Sequence, residues 1–247
     1  MKVVRRLPHP GRGFTQGLLD CADGSVLEST GLYGQSQLRR YRLGADSFEA
    51  SATLSGDFFG EGICRVDDSI WQLTWRERTA LRWDAATLEL RDLVSYNREG
   101  WGICAIPGDA DEVITSDGTS ELVRRDPGTL RARELIQVRC QGQRVRGLND
   151  LAWSAGRVWA NVAPTTTIAG IDPATGEVTD LVDAGAAAES RMADPQAIMN
   201  GIAALPQPEE FLLTGKGWRW IRQVRLVPAR PGASPARLLE GAGRFFF

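Results

Sequence analysis

The polar and apolar positions of the chain fall into short runs separated by turn formers, and the order of those runs repeats. Five times a polar or aromatic residue, a small or acidic residue and an aliphatic residue come in succession: Gln16-Gly17-Leu18, Glu61-Gly62-Ile63, Trp101-Gly102-Ile103, Asn149-Asp150-Leu151 and Asn200-Gly201-Ile202. The anchors at positions 17, 62, 102, 150 and 201 are 45, 40, 48 and 51 residues apart. A second run follows each anchor: SVLEST, SIWQLTW, EVITSDG, RVWANV and EFLLTGK. A third comes next, as LRRYRL, ALRWD, LVRRD, IAGID and IRQVRL. Turn formers such as DPGTL and DPATGEV then supply tight-turn backbone angles, and a fourth run, as in ARELIQV or VTDLV, ends the unit. Short, turn-bounded runs of this composition read as strands. Self-similarity at a period of roughly 20–50 residues reads as a repeat architecture.

Four strands per unit, repeated five times without helical periodicity, predict an all-β fold: a five-bladed β-propeller of four-stranded antiparallel blades around a central channel. KVVRRL, near the start, is a fourth-type strand lacking the first three, and the last unit stops after its third strand, IRQVRL. Pairing the two closes the ring, so residues 2–7 are expected on the edge of the final blade. Residues 1–247 are read as one propeller domain, with 229–247, ending Phe245-Phe246-Phe247, outside the repeat.

Composition narrows the partners. Lys and Arg total 29 against 31 Asp and Glu, a net charge of -2. No basic excess is present to attract nucleic acid or an anionic membrane. No apolar run approaches the roughly 20 residues of a membrane span, and MKVVRRLPHPGRG lacks the apolar stretch of a signal peptide, so a soluble, cytoplasmic chain is expected. Cys21, Cys64, Cys104 and Cys140 form no C-x-x-C pair and read as reduced, buried thiols. The one histidine, His9, lies between Pro8 and Pro10 and reads as structural or idle; its solitude argues against a multi-histidine zinc site.

The first strand of each propeller blade lines the channel, so Gln16, Glu61, Trp101, Asn149 and Asn200 are expected to converge there. Taken singly, each serves as well to satisfy blade-end backbone groups or to plug the channel. Glu61 stands apart, because its charge is costly to bury without a partner. Lys216, in the loop after FLLTGK and at the blade position that holds Trp75 in QLTW, is the partner in view. Burial and pairing would shift both pKa values and make the two acid–base candidates.

PHPGRGFTQGL, GLYGQSQLR, FGEGI, QLTWRE, GWGI, SDGTSEL, LND, WANV, IDPATGEV and NGIA…LLTGKGW, running in order from residue 8 to 224, together resemble the glutaminyl cyclases (glutamine cyclotransferases) of plant and bacterial type. The resemblance implies a five-bladed propeller that converts the N-terminal glutamine of peptides or proteins to pyroglutamate with release of ammonia; a monomer is expected. No metal is required, although a structural Ca²⁺ in the channel stays open as an option. It also implies that Glu61 shuttles the proton, that Lys216 steadies charge on the carboxamide oxygen or orients Glu61, and that Trp75 and Trp101 wall the substrate. Phe14, Gln16 and Asn149 match further pocket positions of the family. Three positions depart from its pattern: Ala163 stands where a tryptophan usually follows Ala-Asn-Val, Asp150 where glutamate is common, and TGKGWRW lacks the usual proline.

Two other readings compete. A calcium-dependent propeller lactonase would draw oxygen ligands from Glu61, Asn149, Asn200 and Asp117. A catalytically silent propeller would only bind peptide in a pocket widened at Ala163.

Overall fold

A computed structural model describes residues 1–108, 112–189, 195–226 and 235–244. The four runs of every unit pair in sequence order as an antiparallel sheet. Blade 1 comprises Thr15–Asp20, Ser25–Thr30, Gln37–Arg42 and Ala50–Thr53. Blade 2 comprises Gly60–Val66, Ser69–Thr74, Thr79–Asp84 and Leu90–Ser95. Blade 3 is built from Ile103–Ile106, Glu112–Ser116, Glu121–Arg125 and Ala132–Gln137, and blade 4 from Leu148–Ser154, Arg157–Val162, Thr167–Ile171 and Val178–Asp183.

Blade 5 joins the two chain ends. Met199–Ala204, Glu210–Gly215 and Trp220–Arg225 supply three strands, and Lys2–Pro8 supplies the outermost. The closing strand pairs from Lys2 opposite Arg225 to Pro8 opposite Trp220, with one bulge. The five sheets form the ring of a five-bladed propeller, as the repeats predict.

Among the described residues the one α-helix is Pro235–Leu238, which falls in the stretch the repeats leave out. No helix there is long and apolar enough to cross a membrane. A small hairpin, Arg139–Cys140 with Gln143–Arg144, has no counterpart in the repeat.

Five apolar clusters fill the five seams between blades. Leu27, Ile63, Ile70 and Trp83 pack between blades 1 and 2, and Cys64, Trp71, Ile103 and Val113 between blades 2 and 3. Leu122, Leu148 and Val158 join blades 3 and 4, Trp159 and Phe211 join blades 4 and 5, and Leu18, Tyr41 and Ile221 close the seam from 5 back to 1. Middle strands such as Ser25–Thr30 and Ser69–Thr74 are buried throughout, because a neighbouring blade covers each face. All four cysteines are free; Cys64, Cys104 and Cys140 are buried, while Cys21 is only half-buried. Burial pushes the Cys64 thiol up, which disfavours the reactive thiolate.

The anchor glycines mark where the inner strands touch. A Cβ on Gly17 would lie 2.7 Å from the Ile63 nitrogen, and one on Gly62 would lie 2.7 Å from Gly102 Cα. On Gly102 it would run into the Asn149 carbonyl oxygen. Backbone therefore packs directly on backbone around the axis, which any side chain would prevent. Blade 4 departs from this with Asp150, whose Oδ2 accepts hydrogen bonds from the Leu18 N–H (3.2 Å) and the Ile202 N–H (2.8 Å). One carboxylate thus ties three inner strands together.

Beside the anchors, the pairing of first and second strands slips between Thr15 and Gly17, Gly60 and Ile63, Leu148 and Leu151, and Met199 and Ile202. Such bulges release a residue from the ladder and re-aim its side chain. The released residues include Gln16, Glu61, Asn149 and Asn200.

Gly102→Ala is expected to cost about 1–3 kcal/mol, the range of overpacked interiors. Gly108→Ala, where an added Cβ meets nothing within 4 Å, serves as the control. Urea unfolding of both variants checks this, and equal midpoints would contradict backbone crowding at the axis.

Candidate active site

Above the ring of anchors lies a cavity of about 480 Å³. Seven of the eight residues singled out from the sequence line it: Phe14, Gln16, Glu61, Trp75, Trp101, Asn149 and Lys216. Sequence reasoning missed Tyr33, Phe59, Pro164, Ile198 and Arg244 in the same lining. Phe59 is the hub of the aromatic wall, with ring centroids 5.4 Å from Trp75, 5.4 Å from Tyr33 and 6.3 Å from Phe14. Its place directly before the Gly60-Glu61 bulge was the available signal.

Asn200 takes a different place. It has no exposed surface and is not part of the cavity lining; its Nδ2 donates to Gln16 Oε1 at 2.9 Å. Asn200 therefore fixes Gln16 from behind. Asn149 presents an unpartnered Oδ1 among the described residues, an acceptor available to an amine or amide.

Glu61 is 5% exposed. Burial pushes its carboxyl well above the usual range, Lys216 opposes that shift, and the Asp150 carboxylate adds to it. Desolvation lowers Lys216 in turn, against the pull of Glu61. The two groups interact through space with no mutual hydrogen bond, and each is biased toward its neutral form. Lys216 Nζ stands 4.9 Å from the Phe14 ring centroid. Its loop is pinned by three backbone hydrogen bonds: Lys216 N–H to Ile198 O at 3.0 Å, Gly217 N–H to Gly13 O at 2.8 Å and Trp218 N–H to Gly215 O at 3.1 Å.

His9 is structural rather than idle. It is buried, with Nε2 2.9 Å from Glu28 Oε1 and Nδ1 2.8 Å from the Trp218 carbonyl oxygen. The Thr15 hydroxyl donates to the same Glu28 oxygen at 2.7 Å. Burial would lower the imidazole pKa, but the Glu28 charge and hydrogen bond and the Trp218 carbonyl outweigh it, and the net direction is up. The pair links Thr15, next to Gln16, with Trp218, two residues after Lys216.

Ala163 does not leave a gap. It is fully buried, and its carbonyl accepts the Gly243 N–H at 2.8 Å. Main chain from segment 235–244 thus bonds the residue that stands where the resemblance expects a tryptophan. One ligand of the lactonase reading is engaged elsewhere: Asp117 is paired with Arg98 at 2.8 Å. Among the described residues no three His, Cys, Asp or Glu side chains are placed to hold a metal.

The raised carboxyl of Glu61 has a stability signature. Below the ordinary carboxylate pKa both folded and unfolded states hold the proton; as pH rises, the unfolded chain releases it first, and stability falls through the folded pKa. Glu61→Gln removes this loss. The variant is expected to gain melting temperature relative to wild type between pH 4 and pH 8, by about 2–4 °C for each kcal/mol of linkage. A difference that stays constant across that range would place Glu61 in a solvated setting.

A comparison with known proteins agrees with the geometry. The family described as glutamine cyclotransferase matches residues 1–226. Glutaminyl-peptide cyclotransferase of Arabidopsis thaliana is 31% identical over 233 residues, covering 93% of this chain and 72% of the relative. The crystal structure of Myxococcus xanthus glutaminyl cyclase superposes with a TM-score of 0.83 at 32% identity, covering 92% of this chain and 96% of that one. With its five-bladed ring and a shared pattern across nearly its whole length, the chain belongs to the glutamine cyclotransferase family.

Proposed function

We propose that this enzyme of the glutamine cyclotransferase type acts on the N-terminal glutamine of peptides, and that Glu61 and Lys216 carry its chemistry. The observation that supports the reading is the placement of a buried carboxyl and a desolvated amine on one aromatic-walled cavity.

The substrate's α-ammonium, with an ordinary pKa of about 8, must lose a proton before its nitrogen can attack. A carboxyl held well above its usual range is a better-matched acceptor than a solvated glutamate. As the new C–N bond forms at the γ-carbon, charge collects on the carboxamide oxygen, where Lys216 provides compensation. Glu61 passes that proton to the departing nitrogen and takes the second proton that the ring nitrogen sheds on becoming an amide; the old C–N bond breaks, and the leaving ammonia carries this second proton off as ammonium. Proton and electron pair balance without a second acid. Trp75, Trp101 and Phe14 fold the flexible glutamine side chain back on its own amine, so proximity supplies much of the rate. Asn149 Oδ1 accepts an N–H of the amine or carboxamide. No metal enters this scheme.

Glu61→Gln is expected to lower kcat about 10²–10⁴-fold on a Gln-initiated peptide, with KM changing much less. Lys216→Met should also lower kcat, and the double variant should lose far less than the product of the two single losses, because the groups act as a unit. Ammonia release measured by a coupled assay checks both. Near-wild-type turnover by Glu61→Gln would defeat the assignment.

Prolonged dialysis against EDTA is expected to leave kcat/KM unchanged. Activity lost to EDTA and restored by Ca²⁺ would return a cation to the channel and revive the ligand set of the lactonase reading.

A further inference from the structure

Segment 235–244 lies beyond residue 226, where the family match ends, yet it is built into the fold. The Thr167 hydroxyl donates to the Leu238 carbonyl at 2.5 Å, and Leu239 and Ala242 pack on the cluster between blades 3 and 4. Gly243 donates its N–H to Ala163 O at 2.8 Å. On Gly147 a Cβ would lie 2.7 Å from the Gly243 nitrogen. Gly147, at φ 79°, has no room for a Cβ between the Ala163 oxygen and this segment, and the Ala163 carbonyl is bonded to it.

The same path delivers Arg244 to the cavity, beside Pro164. Its backbone is fixed by a hydrogen bond from its N–H to Gly241 O at 3.0 Å, and its side chain is exposed. The two glutamates whose charges act on Glu61 besides Asp150 are otherwise engaged. Glu77 accepts the Tyr33 hydroxyl at 2.7 Å, while Glu99 faces Arg76 and the Trp101 indole N–H. Among the described residues Arg244 has no carboxylate partner. A substrate with its amine and carboxamide at Glu61 and Lys216 has the rest of its chain leaving a cavity whose lining includes this solvent-exposed guanidinium.

We propose that Arg244 sets substrate specificity by reading a carboxylate on the residue that follows the N-terminal glutamine. That carboxylate is either the terminal group of a dipeptide or the side chain of an acidic second residue. The planar guanidinium fork matches a carboxylate in two parallel hydrogen bonds and gains nothing from a neutral amide. Arg244 lines the cavity away from the reacting pair, so changing it alters which substrates are preferred and leaves the chemistry at Glu61 in place. The inference rests on the cyclase reading above.

Steady-state kinetics on the full chain test it with three peptides: Gln-Gly-amide, Gln-Gly with a free carboxylate, and Gln-Glu-amide. Wild type is expected to favour at least one carboxylate peptide over Gln-Gly-amide by about three- to tenfold in kcat/KM, between the strength of an exposed ion pair and a charge-assisted hydrogen bond. The peptide that carries the preference identifies the source of the carboxylate. In Arg244→Gln the ratio should fall to about one, in Arg244→Glu below one, and added salt should erode it in wild type alone. A wild-type ratio near one, or a ratio unchanged in Arg244→Gln, overturns the proposal while leaving the cyclase reading intact. Failure of wild type to turn over any of the three peptides would instead remove the cyclase reading, and the proposal with it.

Discussion

Five inner strands meeting around one axis leave no room for side chains between them, and the rest of the molecule follows from how the chain meets that constraint. Gly17, Gly62 and Gly102 let each strand lie against the backbone of the next blade. Asp150 meets it differently, with a carboxylate that takes the free N–H groups of Leu18 and Ile202. Where strands are this close, the ladder to the second strand cannot stay in register, and the residue beside the anchor is released as a bulge. Crowding at the axis and a polar cavity floor are therefore two aspects of one geometry. A residue released in this way is held on both sides by packed backbone, which is the rigidity a reacting site needs.

That rigidity bears on the electrostatics. A mobile glutamate would turn toward water and keep its ordinary pKa; Glu61, set in the inner strand of blade 2, has no such freedom. Its carboxyl therefore bears the full effect of burial, with Asp150 below adding to the shift and Lys216 opposing it. The aromatic wall around Phe59 gives the cavity an apolar face, beside which these interactions are screened less than in open water. Neither group needs the other as a hydrogen-bond partner, so both are left open toward the cavity.

The repeat was legible because every blade solves the same packing problem with the same short pattern, and the ring could be read down to its closing strand. The cavity floor was legible for the same reason: four of the five residues beside the anchors do line it. Asn200 looks identical in sequence, but Gly201 beside it is in the left-handed region (φ 103°), and the Asn200 amide is spent on Gln16. His9 could not be read at all, since its partners Glu28 and Trp218 are 19 and 209 residues away and no local pattern encodes them. Ala163 was visible as a departure, but its meaning depends on Gly243, eighty residues downstream and outside the repeat. Two-residue strands such as Arg139–Cys140 are too short to carry a period.

The seam that closes the ring also sets the distance between the two groups proposed to act together. Glu61 belongs to blade 2 and Lys216 to the loop after the second strand of blade 5, so blade 1 lies between them. Nothing covalent fixes blade 5 against blade 1 except the passage from the closing strand through His9 to Thr15. The chain reinforces that passage with a buried imidazole whose two nitrogens both face acceptors, one on each side of the seam, and with the Gly217 N–H to Gly13 O hydrogen bond one residue from Lys216. Both ring nitrogens can be satisfied at once only if a proton is shared between His9 and Glu28, and Thr15 adds a second donor to the same carboxylate. A propeller that opens does so most readily where the sheet is held by a terminal strand, and here such an opening would carry Lys216 away from Glu61. Ring closure and the alignment of the cavity are therefore maintained by the same few contacts, which accounts for a buried charged pair at a place where an apolar contact would serve packing alone.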